Sequence, residues 1–393
     1  MTMTGTDHPD YHLPSLPLWR GVQASPGIAK AFPFRLGWDR SGFIRQTTPG
    51  NVRDQVVAEY ADPNYQYMTT PPGGSAWANR LGDKYVAAIR DLAGVLRGKR
   101  ILEIGAGSTY IAERLLDDFG VGEYVIVDPA ITETAGNGRA GLNVIQDYYP
   151  SDRVKGRTFD LVIALNCLEH VEDPIRFLTR IRDAMADNDS RAVLVFPDVT
   201  AQFERGDLNV LLHEHLNYFD GDGTGRVLAS AGLMPVHRYS EIDTWFILAG
   251  PANTAPPPAD PVENDLLGAT AALFDGVVRN EGETIRKMLD GGETVLFHGA
   301  VNGLNTFFYL TGLGGRENIR LVDGDDTKAG CFLPACSRAV EMPSRDAYES
   351  AKTIYVSAVT FFDEIRNDLM RTRGVSETKI RPLFRAPEPG QAS

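Results

Sequence analysis

The chain has 393 residues, 43% hydrophobic and 23% charged, with a formal charge of −13 and a pI near 5.1. That is material for two or three globular domains, and the net negative charge excludes a broad electrostatic grip on nucleic acid or an anionic membrane. Cys167, Cys331 and Cys336 form neither a CxxC pair nor an even framework, which argues against a structural zinc or a disulfide scaffold and for a reducing, cytoplasmic setting.

No stretch has the ~18 consecutive apolar residues of a membrane span, and the first residues carry no apolar core of signal-peptide length. Residues 1–95 are rich in Pro, Gly and aromatics, which predicts an irregular cap or lid with a helix over about 77–96. Residues 96–250 alternate short β-branched runs with helical segments, a βαβ pattern.

RILEIGAGSTYIAERLL (100–116) reads as a buried strand, a turn at Gly105-Ala106-Gly107 and a helix. Glycines there let the backbone approach a ligand, and the amides at the helix start add donors. A dinucleotide fingerprint would place a third glycine at 110, where Tyr110 stands, so hydride transfer is disfavoured. EYVIVDPA (123–130) ends a second strand at Asp128, the place for a carboxylate that accepts ribose hydroxyls. LNVIQDYYP (142–150) ends a third at Asp147, either a ligand contact or a turn-capping aspartate. FDLVIALNCLEHVEDPIRFL (159–178) gives a fourth strand, Asn166, and then Glu169 and His170 in a loop, which they more readily shape than serve as chemical groups.

RAVLVFPDV (191–199) is the fifth strand, and HEHLNYF (213–219) lies beyond its carboxyl end, the edge where open α/β sheets bind ligands. Residues 234–240 and 244–250 close the sheet as a hairpin. A linker at 251–262, containing NTAPPPADP, separates a third domain over 263–393, which opens on an amphipathic helix to about residue 289. Within it, Gly299-Ala-Val-Asn302-Gly303 follows a strand and offers amides at a helix start, a plausible diphosphate cradle. Asp323, Asp325 and Asp326 follow the next strand, as ribose contacts or a solvated turn. A helix from near Phe361 and a strand at 379–384 read as scaffold, with Arg381 as a cation that could face a phosphate.

The glycine loop, Asp128, Asp147 and LEHVEDP together resemble the class I methyltransferases that use S-adenosylmethionine. The resemblance implies an α/β fold: a Rossmann-like seven-stranded sheet, a smaller C-terminal α/β domain and an irregular N-terminal cap. It also implies that Gly105, Ala106 and Gly107 line the methionine part of the cofactor, Asp128 the ribose, Asp147 the adenine amine and Asn166 the pocket. HEHLNYF is similar to the YHEHxxYF segment of sugar C-methyltransferases, which methylate a carbon of a nucleotide-linked 4-keto deoxysugar. FHGAVNGLNTFFYLTGLG (297–314), IRLVDGDDTKAGCFLPA (319–335) and the tyrosine segment ADPNYQYMTT (61–70) resemble further segments of that family. By this resemblance Tyr67 borders the cofactor, and Gly299, Asn302, Gly303, Asn305 and Asp323 hold a nucleotide sugar. Three departures stand out. Residues 1–60 lack the family's cysteine-rich zinc module, Leu212 replaces its catalytic tyrosine, and Val301-Asn302 replaces an Ala-Lys.

Methylating carbon beside a ketone requires removal of a C–H proton before the enolate attacks the sulfonium methyl. A histidine near neutrality suits that base. The match assigns the role to His215, with Glu214 orienting it or binding a substrate hydroxyl, and Tyr67, Tyr218 or His213 stabilising the enolate oxygen. The same base would serve an O- or N-methyltransferase, and a non-catalytic scaffold is a further alternative. His213 and His215 would share a strand face as metal ligands, but no HExxH pattern or cysteine partner accompanies them and no metal is expected.

Overall fold

The computed structural model describes residues 10–27, 29–60, 72–74, 76–136, 138–252 and 266–385. The first element is a sheet where an irregular cap was expected. Strands β1 (Tyr11–Pro17), β2 (Ala31–Trp38) and β3 (Ile44–Gln46) run antiparallel, followed by helices α1 (Gly50–Tyr60) and α2 (Ala76–Ala93). Alternation puts Tyr11, Leu13, Phe34 and Leu36 into a core. The prolines that argued against strands are accommodated: Pro14 is on the edge strand β1, and both Pro14 and Pro33 fall where the register shifts between Leu13 and Leu16.

The central unit follows the expected order. It contains β4 (Arg100–Ile104), α3 (Tyr110–Phe119), β5 (Glu123–Val127), β6 (Leu142–Ile145), β7 (Leu161–Leu165), α4 (Pro174–Asp183), β8 (Arg191–Pro197) and α5 (Val199–Arg205). After these come β9 (Asn217–Tyr218), α6 (Gly221–Ser230), β10 (Leu233–Ser240) and β11 (Thr244–Pro251). Seven strands pair in the order β10-β11-β8-β7-β4-β5-β6, parallel except for the β10-β11 hairpin and its junction with β8. Strand residues alternate between two cores: Ile101, Ile126 and Ile163 pack with α2 and α3, while Leu102, Val125 and Val162 pack with α4 and α6. β9 belongs to neither core's sheet. It pairs with β3, so the end of HEHLNYF is the fourth strand of the N-terminal sheet.

The last part holds α7 (Leu266–Asp290), β12 (Val295–His298), α8 (Asn302–Thr311), β13 (Ile319–Val322) and β14 (Val340–Glu341). It ends with α9 (Arg345–Ser350), β15 (Thr353–Val356), α10 (Phe362–Arg371) and β16 (Ile380–Pro382). Its five strands are all parallel, in the order β14-β13-β12-β15-β16, so it repeats the Rossmann logic on a smaller scale. It is not a separate bead: Tyr11, Leu16 and Phe34 of the N-terminal sheet, Phe203, Leu211 and Tyr218 of the central chain, and Phe274, Phe297 and Phe307 form one continuous core. Buried Arg205 seals the same junction by pairing with Asp243, whose other partner is the Thr360 hydroxyl at 2.7 Å.

Candidate active site

The site lies at the carboxyl ends of β4, β5 and β7. Gly105 and Gly107 take left-handed φ values of 68° and 66°, and a Cβ on Gly105 would sit 2.5 Å from the Cys167 sulfur. Only glycine fits there without moving a neighbour. Asp128 closes the loop. Its Oδ2 accepts the Gly107 amide at 2.8 Å, and its Oδ1 accepts the amides of Ala130 and Ile131 at 2.7 and 3.2 Å. A buried carboxylate held by three amides is fixed in place beside the glycine turn, ready for further donors such as ribose hydroxyls.

Glu103, at the heart of β4, is fully enclosed: the Tyr124 hydroxyl donates to Oε2 at 2.9 Å and Oε1 has no partner. Burial pushes its carboxyl up to about 8, against the opposing pull of the Tyr124 hydrogen bond. Asp147 behaves as a turn cap: Ser151 donates to it at 2.7 Å, and this bond, with the Tyr148 amide, lowers its pKa. Asn166 ends β7 at φ 52°, a left-handed conformation that asparagine tolerates, and its side-chain amide donates to the Tyr85 hydroxyl of α2 at 3.0 Å. Ala106 is in the glycine turn, and Tyr67 lies outside the described residues.

HEHLNYF is held from two sides. The Gln46 side chain donates to the carbonyls of His213 and His215 at 3.2 and 3.0 Å, and the Gln46 amide to that of Leu216 at 2.8 Å. From the other side the Glu169 carbonyl accepts the amides of Leu216 and Asn217. Successive residues therefore point to different places. His213 enters the N-terminal core, where Nε2 donates to the Leu16 carbonyl at 3.1 Å and the ring packs edge-on against Phe32 and Phe34. This corrects its reading as an enolate stabiliser, since the ring is buried in the N-terminal core and its N–H is already spent on a carbonyl. Tyr218 is likewise buried, its hydroxyl donating to the Leu212 carbonyl at 3.0 Å and its ring stacked on Phe203. Glu214 is half-exposed, and its carbonyl accepts from His170 Nδ1 at 3.1 Å.

His215 alone of this segment's histidines turns toward the loop after β7. Its ring meets His170 edge to face with centroids 5.0 Å apart, and Glu169 Oε1 is 3.8 Å from His170 Nε2. Burial, aided by the neighbouring His170, holds the His215 imidazole well below the usual histidine range. Burial also raises Glu169. Glu169 and His170, expected to shape the loop more readily than to act in it, thus each bring a polar atom within 4.8 Å of a His215 ring nitrogen. Gln46 and Tyr85 carry no sequence signal at all, because their roles arise from contacts across more than 80 positions of chain.

The C-terminal cradle is engaged internally. The Gly303 amide donates to Asn209 Oδ1 at 2.7 Å, Asn302 Nδ2 donates to the Leu211 carbonyl at 2.8 Å, and the Ala300 amide donates to Asp323 Oδ2 at 2.7 Å. Asp323 is further paired with Lys328 at 2.9 Å, and the fully buried Asn305 accepts the Ala335 amide at 2.9 Å. Gly299, at φ 112°, faces Ser357 and Ala358. These groups join the domains and order the loops, which corrects their reading as an open diphosphate cradle: the Gly299, Ala300 and Gly303 amides already have acceptors within the chain.

The methyltransferase domain family model matches residues 77–238, which span α2, the glycine loop, Asp128 and HEHLNYF. The chain carries an S-adenosylmethionine-dependent methyltransferase domain. No curated protein matches the chain. Among solved structures, it is similar to an N,N-8-amino-8-demethyl-D-riboflavin dimethyltransferase from Streptomyces davawensis, with 20% identity over 50% of this chain and 62% of that one and a TM-score of 0.39. An O-methyltransferase family protein from Burkholderia thailandensis gives 14% identity, 44% and 57% coverage and a TM-score of 0.36. An S-adenosylmethionine-dependent methyltransferase from Mesorhizobium loti gives 13%, 46%, 100% and 0.34. The chain thus spans less than two thirds of the first two. In this methyltransferase the residues present suit the cofactor: the two left-handed glycines open the turn to a ligand's backbone approach, and Asp128 stands at its edge. No described helix is long and apolar enough to cross a membrane.

Proposed function

We propose that the protein methylates a carbon next to the ketone of a nucleotide-linked deoxysugar, with His215 as the base. The observation behind the base is the grouping of His215 with His170 and Glu169 in the loops beyond β7, and the choice of acceptor rests on the likeness of HEHLNYF to the sugar C-methyltransferases. The cofactor supplies an electrophilic methyl group, and the chain's residues handle the proton. A neutral His215 keeps a lone pair at physiological pH, and its lowered pKa makes it a modest base, so removal of a carbon-bound proton also needs the growing enolate charge to be stabilised. Glu169 is suited to stabilise that charge, because burial favours its protonated form, which donates a hydrogen bond. The Gln46 and Glu169 backbone clamps fix the His215 main chain, which favours precise placement of the ring.

A second reading, O- or N-methylation of a sugar or another small polar molecule, is favoured by Leu212 and by the commitment of the Tyr218 hydroxyl to a carbonyl. These two positions supply no free phenol for an enolate. The readings separate when methyl-deuterated S-adenosylmethionine is turned over with a panel of nucleotide-linked 4-keto sugars and the label is located by NMR. Label on a ring carbon supports the first reading; label on oxygen or nitrogen replaces it with the second.

A further inference from the structure

We propose that Glu169, His170 and His215 also bind a divalent transition-metal cation of the zinc and cobalt class, and that its occupancy shuts off methyl transfer. Each of the three offers a ligand atom, and these atoms lie within 4.8 Å of one another, the one such group among the described residues. The second observation is independent of their proximity: Glu169 is 2% exposed and its Oε2 has no hydrogen-bond partner. A buried carboxylate oxygen left without a donor is costly unless a cation or proton meets it.

The histidines are arranged to receive an ion. His170 Nδ1 faces a carbonyl, which can only accept, so in the neutral ring the proton sits on Nδ1 and the lone pair on Nε2 faces Glu169. A ligating histidine whose other nitrogen donates to a carbonyl is the usual support of a metal site. His215 adds a second imidazole, and among the described residues its ring makes no hydrogen bond that would have to be broken. Zinc bonds of ~2.0–2.2 Å would draw the three atoms together by about 1 Å, within reach of side-chain rotation at the half-exposed His170. Two nitrogens and one oxygen leave a fourth position for water, and the mixed donor set favours zinc, cobalt or nickel over magnesium or calcium.

Metal capture takes the lone pair of His215, so it excludes use of the same nitrogen as a base. The inhibitory half of the proposal rests on the assignment of His215 given above; the binding half does not. The test is titration of the purified full-length protein, without cofactor or acceptor, with cobalt(II) chloride, read by visible absorption and by metal content after dialysis. The expected result is one cobalt per chain, displaced by zinc, with affinity lowered ~10-fold or more in each of Glu169→Gln, His170→Asn and His215→Asn. Circular dichroism confirms folding, and His170→Asn, at a partly exposed position, keeps the test available if a buried variant fails to fold. No stoichiometric cobalt, or cobalt retained in His170→Asn, overturns the site. With the site established, zinc at saturating occupancy should abolish methyl transfer, and undiminished transfer overturns the inhibition. If His215→Asn loses cobalt and still transfers methyl groups, the base assignment falls while the metal site stands.

Discussion

The His170 and His215 rings meet edge to face with centroids 5.0 Å apart, across 45 positions of chain. The two loops that carry them are stitched by the Glu169 carbonyl on one side and by the His170–Glu214 bond on the other.

Replacing His215 by Asn should abolish methyl transfer, with a loss of ~10²-fold or more, while cofactor affinity stays within a few-fold, because the role proposed for it lies on the acceptor. Isothermal titration with S-adenosylmethionine and a steady-state assay check the two halves separately. Asp128→Ala should do the reverse first, weakening cofactor binding, since its carboxylate anchors the glycine turn through the Gly107 amide.

The pH profile follows from the direction of the His215 shift. A pKa held below 6.5 means that the base remains unprotonated as pH falls through 6.5, so its activity is retained there and lost only at lower pH. A kcat/KM profile whose acid limb is centred near or above 6.5 would assign the base elsewhere.

Glu103 makes a stability prediction. Its folded-state pKa, about 8, lies above its ordinary value of 4.5, so the folded protein keeps a proton that the unfolded chain releases. Its contribution is present in full below pH 4.5 and is lost as pH rises toward 8. Glu103→Gln should therefore gain stability relative to the parent protein between pH 5 and pH 8.5, by a few kcal/mol at most, in denaturant unfolding at the two pH values.

At the domain junction, Asn209 caps α8 through the Gly303 amide and also donates to the Ser357 carbonyl at 3.2 Å. Asn209→Ala should cost ~1–2 kcal/mol. Gly303→Ala should cost more, because its Cβ would fall 2.8 Å from the Asn209 backbone nitrogen. Thermal unfolding measures both.

The central sheet was legible because four of its strands are short apolar runs, each followed by a turn residue, Gly105, Asp128, Asp147 or Asn166. The N-terminal sheet was not, because Pro14 and Pro33 mask a period of two whose inward residues bury only against a distant domain. The same limit explains the C-terminal cradle. Gly299 to Gly303 has the sequence of a phosphate loop, but the acceptor of its Gly303 amide, Asn209, comes from 94 positions upstream. HEHLNYF was placed correctly at the sheet's edge, yet the opposite fates of His213 and His215 depend on Leu16, Phe34 and His170, which no local pattern announces.

The most direct measurement is hydrogen exchange at the acceptor: a nucleotide-linked 4-keto sugar incubated in deuterium oxide with the protein and S-adenosylhomocysteine, followed by NMR. The account predicts deuterium entering the carbon beside the ketone with the parent protein and not with His215→Asn. Methyl transfer to the same sugar without any such exchange, or exchange undiminished in His215→Asn, would contradict it.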